Sequence, residues 1–479
     1  MKIKKSKFLI KVFSLCICSL FLSNSLFAAP KNNAKSSSKV EKQEKTENAE
    51  VEFDYSSFYS EVQTTFKMSG INAAISLFNN LPEQVKDDAN VNYLLGSLLL
   101  SSGEYEKAEL IAEKLLTVDA KNTDYLFLNA YVAKALGNKN KKSQYLKEII
   151  KIQPENAEAN AELGNELMIA KAYEEAAKYF LKSLKNDPYF VTGLFGYGQA
   201  NYYLGNFTEA KIAFKKILVK NPEEDIAYSF LGKLEAEKEN YDEALNYLEQ
   251  AIKINPNYYN YWLEKGNYNR LKGKGEEAIE AYTKAIQIKS DYFLTYIYRG
   301  AVYERLERFD EALSDYKMAV KCNPKYQYGF ESIGSLSWRA GNWKECREAY
   351  EKIAEVDKEN ISYQLAIAAC YLKENKKQLC KEYAGKKMRN LDRSSPEYAI
   401  LRFYYDGLGE SDVLRRIRQC ENKNTRGKLL YYMAVYFECI GSQTAANQIY
   451  LEISEMKSPM FFEYTLTMWA IERLGLKKN

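Results

Sequence analysis

A chain of 479 residues with 46% hydrophobic and 28% charged side chains exceeds what one hydrophobic core organises, so two or more structural units are expected. The formal charge is +4, but five lysines (Lys2, Lys4, Lys5, Lys7, Lys11) and no acid precede Ala29, which leaves −1 for the remainder and argues against a nucleic-acid partner. Histidine is absent, which excludes Ser-His-Asp and Cys-His nucleophile systems, the His-Glu-x-x-His zinc site and histidine-based pH switching.

In chain order, residues 1–29 have the layout of a secretory signal: a lysine-rich start, an apolar stretch Val12–Leu22, and a small-residue exit at Ala28 and Ala29. A stretch of eleven residues spans about 16 Å as a helix, too short for a hydrocarbon core of about 30 Å. Cleavage is expected after Ala28 or Ala29. Cys16 and Cys18 lack the small residues that precede a lipidated cysteine. Residues 30–54 are rich in Lys, Glu, Asn and Ser, with Val40, Val51 and Phe53 as their large apolar side chains, and read as a disordered polar linker.

From Tyr55 onward the chain repeats every 34 residues. Pro154, Pro188, Pro222 and Pro256 are each 34 apart, and Pro324 lies two periods on. With units beginning at 55, 89, 123 and so on to 361, the eighth position is glycine in seven of ten units: Gly96, Gly164, Gly198, Gly232, Gly266, Gly300 and Gly334. The twentieth is small in nine of ten, Lys142 being the exception. Each unit carries two apolar stripes at helical spacing, as in Phe230, Leu231 and Leu234, then Ala244, Leu248 and Ile252. Each unit is therefore predicted to be a helical hairpin. The small residues mark where its two backbones cross, a large residue at position 24 fills space beside the crossing, and proline at position 32 ends the second helix.

These residues resemble the tetratricopeptide repeat family, in which Trp, Leu-Gly, Tyr, Ala, Phe and Pro recur over 34 residues. Trp262, Gly266, Ala278, Tyr282 and Ala285 make one copy, and Leu163-Gly164, Leu167, Ala176, Phe180 and Pro188 another. The register holds from 55 to 394. Residues 395–479 continue it in degenerate form: Tyr398 and Leu401 fall on one helix, Val413, Leu414 and Ile417 on the next, and a unit two residues out of phase starts near Arg426. A last helix, 461–474, is expected to cap the array, with Phe462, Leu466, Trp469 and Ile471 on its apolar side and Glu463 elsewhere. The resemblance implies an all-α, right-handed superhelix of about twelve hairpins.

It also implies a concave groove lined by first helices. The groove-facing positions of the family map onto Tyr93, Phe127, Tyr131, Asn165, Phe195, Gln199, Tyr202, Lys233, Asn267, Arg270, Glu304 and Trp338. Aromatic faces interleaved with amides suit an extended peptide or partner helix, although each side chain could equally serve the neighbouring repeat. The carboxylate clamp of the chaperone-tail branch is missing its lysine, since Ala161 and Leu263 stand beside Asn165 and Asn267.

Residues 371–430 hold 15 basic and 8 acidic side chains, which would suit either an anionic surface, with peripheral membrane association, or a solvated face. Cys322, Cys346, Cys370, Cys380, Cys420 and Cys439 allow 15 disulfide pairings, and no spacing chooses among them. Without Cys-x-x-Cys there is no support for a zinc or dithiol redox site. Gly273-Lys274-Gly275 reads as a turn and not a phosphate loop. No catalytic, cofactor or metal residue is expected, and the repeats leave no room for a catalytic domain. The expectation is a non-enzymatic, exported bacterial scaffold of the periplasm or envelope that binds proteins or peptides. The alternative is an accessory of envelope protein assembly or transport that holds clients. Oligomeric state is left open.

Overall fold

A computed structural model describes residues 53–457 and 459–476. The signal segment and all of the linker except Phe53 and Asp54 lie outside the described residues. Those two join the fold: Asp54 Oδ1 accepts from the Ser56 and Ser57 amides at 3.1 Å, capping the first helix, and the Phe53 ring packs 5.1 Å from that of Tyr55.

Among the described residues all regular structure is helical. The chain divides into two compact units, with the boundary between Glu223 and Glu224. The first contains five hairpins. One is irregular: Tyr55–Ser69 is followed by Ile71–Ser76, a 3₁₀ turn and the short helix Glu83–Lys86. The others are Ala89–Ser102 with Tyr105–Val118, Thr123–Ala135 with Lys139–Ile152, Ala157–Ile169 with Tyr173–Ser183, and Val191–Tyr203 with Phe207–Lys220. The second unit runs through Asp225–Ala236 with Tyr241–Ile254, Tyr259–Leu271 with Gly275–Ile288, Phe293–Arg305 with Phe309–Cys322, Gln327–Arg339 with Trp343–Ala354, and Ile361–Lys373 with Lys377–Met388. Two further hairpins follow, Pro396–Asp406 with Glu410–Arg418 and Lys423–Cys439 with Gln443–Ser454, and then the terminal helix Glu463–Arg473. From 55 to 361, every first helix starts at the residue where the 34-residue period places it. Within each unit, each helix packs on the next in sequence.

The hairpin interior differs in one respect from the crossing expected. A Cβ built on Gly266 would lie 2.4 Å from Tyr282 Cε1, on Gly334 2.7 Å from Tyr350 Cζ, and on Gly164 and Gly198 2.8 Å from Phe180 and Phe214. The glycine at position 8 thus makes room for the ring at position 24, which lies against its bare Cα. Only where position 24 is leucine does backbone fill the space: Gly232, paired with Leu248, faces the Ala244 carbonyl at 3.0 Å. Phe180, Phe214, Tyr282 and Tyr350 are fully buried by this arrangement.

Positions that break the pattern are satisfied by polar contacts. Lys142, at the small position 20, is buried and reaches Glu162 at 2.5 Å and Glu166 at 3.2 Å on the next hairpin. Asn129, where leucine is usual, donates to the Ala112 and Tyr125 carbonyls at 2.7 and 2.9 Å. Second helices end two residues before Pro154, Pro222, Pro256 and Pro324. They also end at the same place at Val118 and Ile288 without a proline, so proline reinforces the stop but does not create it.

One periodic constraint escaped the sequence reading. The residue between the two helices, position 15, is left-handed in nine consecutive hairpins: Gly103, Gly137, Gly205, Gly273 and Gly341, but also Lys171, Glu239, Glu307 and Asn375, at φ near 60°. A side chain with a Cβ is strained there. Lys171→Gly, Glu239→Gly and Glu307→Gly should each therefore raise stability, by about 0.5–1 kcal/mol, read as a higher thermal midpoint. Gly266→Ala should cost about 1–3 kcal/mol by overpacking. In equilibrium urea unfolding, adding Tyr282→Leu should make the double variant less destabilised than the sum of the two single changes.

Candidate functional site

The first-helix face of the first unit carries seven of the residues assigned to the groove: Tyr93, Phe127, Tyr131, Asn165, Phe195, Gln199 and Tyr202. Helices Ala89–Ser102 and Thr123–Ala135 touch directly, as do Ala157–Ile169 and Val191–Tyr203, which places Tyr93 on a row beside that of Phe127 and Tyr131, and Asn165 on a row beside that of Phe195, Gln199 and Tyr202. All seven are half-buried. The rings are held in place by packing. Phe127 and Tyr131 stack at 6.0 Å and 18°, Tyr93 leans on Tyr125 at 5.8 Å, Phe195 meets Phe214 edge-on at 5.9 Å, and Tyr202 lies 6.0 Å from Phe207. The Asn165 and Gln199 amides make no hydrogen bond to a described side chain or backbone group. Two uncommitted amides among fixed aromatic faces can pair with the main chain of an extended ligand while the rings cover its side chains.

In the second unit the corresponding positions are engaged within the protein. Lys233 pairs with Glu264 at 2.9 Å and lies over the Phe230 ring. Burial holds the Glu264 carboxyl above its ordinary range, against the pull of Lys233. Asn267 Oδ1 accepts from the Tyr282 hydroxyl at 2.8 Å, and Arg270 lies beside the same hydroxyl. Glu304 accepts from the Tyr316 hydroxyl at 2.9 Å, its carboxyl raised by burial and partly restored by that bond. Contact with the protein's own hairpins accounts for these four. Trp338 departs from expectation outright. It is 9% exposed, its ring 5.2 Å from Trp343 and 6.0 Å from Tyr431, because helix Lys423–Cys439 folds over the first-helix face at this point.

In the basic stretch 371–430 some of the charge is paired in place. Lys373 pairs with Glu438 and Arg418 with Glu452, both at 2.9 Å, and Arg415 and Arg416 share Asp412. No helix among the described residues is long and apolar enough to cross a membrane. The six cysteines are free thiols. Cys346 and Cys380, at small position 20, are fully buried, and burial pushes the Cys380 thiol up to about 12. Among the described residues no group of three or more His, Cys, Asp or Glu is placed to hold a metal ion.

One surface feature carried no signal in the repeat pattern. Between helices Tyr173–Ser183, Val191–Tyr203 and Phe207–Lys220 lies an open cleft of about 880 Å³, with Leu181, Leu184 and Ile212 on its walls and Lys178, Lys182 and Lys216 beside them. Leu181 and Ile212 occupy the solvent side of their helices and stay more than half exposed.

Tetratricopeptide repeat models match residues 131–189, 195–258 and 231–293, and single-repeat models match 89–122 and 293–326. The tetratricopeptide repeat-containing protein trd-1 of Caenorhabditis elegans is 27% identical over 161 residues, 33% of this chain. The chain spans only 20% of that relative's length. Among solved structures, MamA is 28% identical over 34% of this chain and 95% of its own, with a TM-score of 0.32. The type IV pilus biogenesis factor PilW is 20% identical over 43% and 94%, with a TM-score of 0.38. The Cut9–Hcn1 structure is 16% identical over 66% and 64%, also at 0.38. The helical hairpins between residues 89 and 326 coincide with these sequence matches: the chain carries tetratricopeptide repeats.

Proposed function

We propose that the protein is a non-catalytic scaffold that binds an extended peptide segment of a partner along the first-helix face of residues 89–203. The observation that carries this reading is the pair of uncommitted amides, Asn165 and Gln199, set between packed aromatic rings, where the equivalent polar groups of the second unit are consumed internally. A polar side chain kept half-buried without a partner gains most from a ligand that supplies one. The expected compartment is the bacterial periplasm or envelope, supported by the signal-like residues 1–29. A second reading, an accessory that holds apolar client segments during envelope assembly or transport, draws on the exposed Leu181 and Ile212 of the cleft.

Peptides selected on the full chain from a displayed library test the main reading. Asn165→Ala and Gln199→Ala should each weaken their binding by about tenfold and leave the thermal midpoint unchanged, while Lys182→Ala in the cleft should have no effect. Selected peptides indifferent to both amides would remove the site. The compartment is tested separately: N-terminal sequencing of the protein from its native envelope fraction should begin at Ala29 or Pro30, whereas a chain recovered starting at Met1 would contradict export.

A further inference from the structure

The terminal helix Glu463–Arg473 covers the hairpin 423–454 that precedes it and also reaches back to Gln327–Arg339, three hairpins earlier. Its leading residue, Phe462, completes a stack of three rings, 5.6 Å from Tyr350 and 6.1 Å from Tyr363, within 24° of parallel to both. Trp469 meets Phe309 edge-on at 5.6 Å, and the Arg339 guanidinium lies near both rings. Between these two aromatic anchors sits Glu463. It was expected off the apolar side of the helix, yet it is completely buried, with no hydrogen bond of good geometry to either carboxyl oxygen and the Ser362 and Tyr432 hydroxyls as its polar neighbours. Those two hydroxyl oxygens are themselves buried and make no hydrogen bond of good geometry. An unpaired buried carboxylate is far costlier than a buried neutral carboxylic acid, which can donate its proton to such an oxygen.

We propose that the first-helix face of residues 327–373, with Tyr350 behind it, is a docking site for an amphipathic helix that leads with an aromatic–carboxyl pair, and that the chain occupies this site itself with residues 461–473 in a form released when Glu463 loses its proton. The proposal rests on the reading of first-helix faces as binding walls and assigns an occupant to a second one. Burial pushes the Glu463 carboxyl from 4.5 up to about 7, against the pull of Ser362, Lys428 and Tyr432. The other charged or titratable groups that face it are Tyr363, Tyr431 and Tyr350, the last also within reach of Glu331. Burial raises all four tyrosine hydroxyls, so none changes charge between pH 5 and pH 8. A carboxyl raised in the docked state holds its proton more tightly there than in water. Docking is therefore strongest below 4.5, weakens as pH climbs towards 7, and is weakest above it. The release equilibrium changes on the order of a hundredfold across that window.

Hydrogen exchange on the full chain provides the test. Corrected for intrinsic rates, protection of the 463–473 amides should fall on the order of a hundredfold between pH 5 and pH 8, and Glu463→Gln, neutral throughout, should abolish that fall. A labelled peptide of residues 459–476 should bind the full chain carrying Phe462→Ala and Trp469→Ala at pH 5, and should not bind the wild type, whose site is filled. Equal wild-type protection at both pH values overturns the proton gate. Refusal of the peptide by the folded double variant overturns the docking site, and leaves binding at Asn165 and Gln199 to stand or fall on its own measurement.

Discussion

The structure depends on one contact repeated along the chain: an aromatic ring at position 24 laid against the bare Cα of a glycine at position 8. Neither residue stabilises the hairpin alone. Glycine within a helix costs roughly 1 kcal/mol of propensity, and that cost is offset because the ring then buries its whole face between two helices instead of prising them apart. Phe180, Phe214, Tyr282 and Tyr350 are fully buried in this way, and the ring atoms approach so closely that a single methyl on the glycine would have to displace them. Gly232 with Leu248 shows the alternative: with no ring to seat, the helices close until backbone meets backbone.

Because the contact, where it occurs, lies within a single hairpin, stability is spread through local units and the interfaces between neighbours. Departures from the pattern are tolerated where a neighbour supplies a partner. Lys142 occupies a position meant for alanine and is accepted because Glu162 and Glu166 on the following hairpin neutralise it. The exposed ends of first helices follow the same logic. Asp88, Asn122 and Asn156 cap with a side-chain oxygen in the first unit. In the second unit Tyr258, Tyr292 and Tyr326 stand at that position without a side-chain cap and contact neighbouring rings, Tyr292 meeting Tyr259 at 5.6 Å and Tyr326 meeting Phe293 at 5.0 Å.

The two first-helix faces consequently differ in chemistry although they share one periodicity. In residues 89–203 the polar groups of this face include the Asn165 and Gln199 amides, which share it with packed aromatic rings. In the second unit Asn267 and Glu304 are bound within their own hairpins and Lys233 to Glu264 on the following one, and beyond residue 327 the chain's own last helices pack over the first-helix face. A fully buried carboxyl, Glu463, lies within that contact.

The hairpins, their starting residues from 55 to 361 and the small positions were legible in the amino-acid sequence, because each arises from contacts between residues fewer than 34 apart and therefore recurs at a fixed spacing. The left-handed residue at position 15 was legible in principle through its five glycines and was hidden by Lys171, Glu239, Glu307 and Asn375, which adopt the same backbone against their preference. What only the tertiary structure decided is which groove positions stay available. Asn165 and Asn267 occupy the same repeat position and differ through a local feature the sequence already held: position 24 of their hairpins is Phe180 in one and Tyr282 in the other, and the tyrosine alone has a hydroxyl to donate. Trp338 is closed off by a helix about 90 residues downstream, and Glu463 falls off the apolar side of its helix yet is buried when the chain returns on itself. Such long-range contacts have no period, so no pattern along the chain announces them.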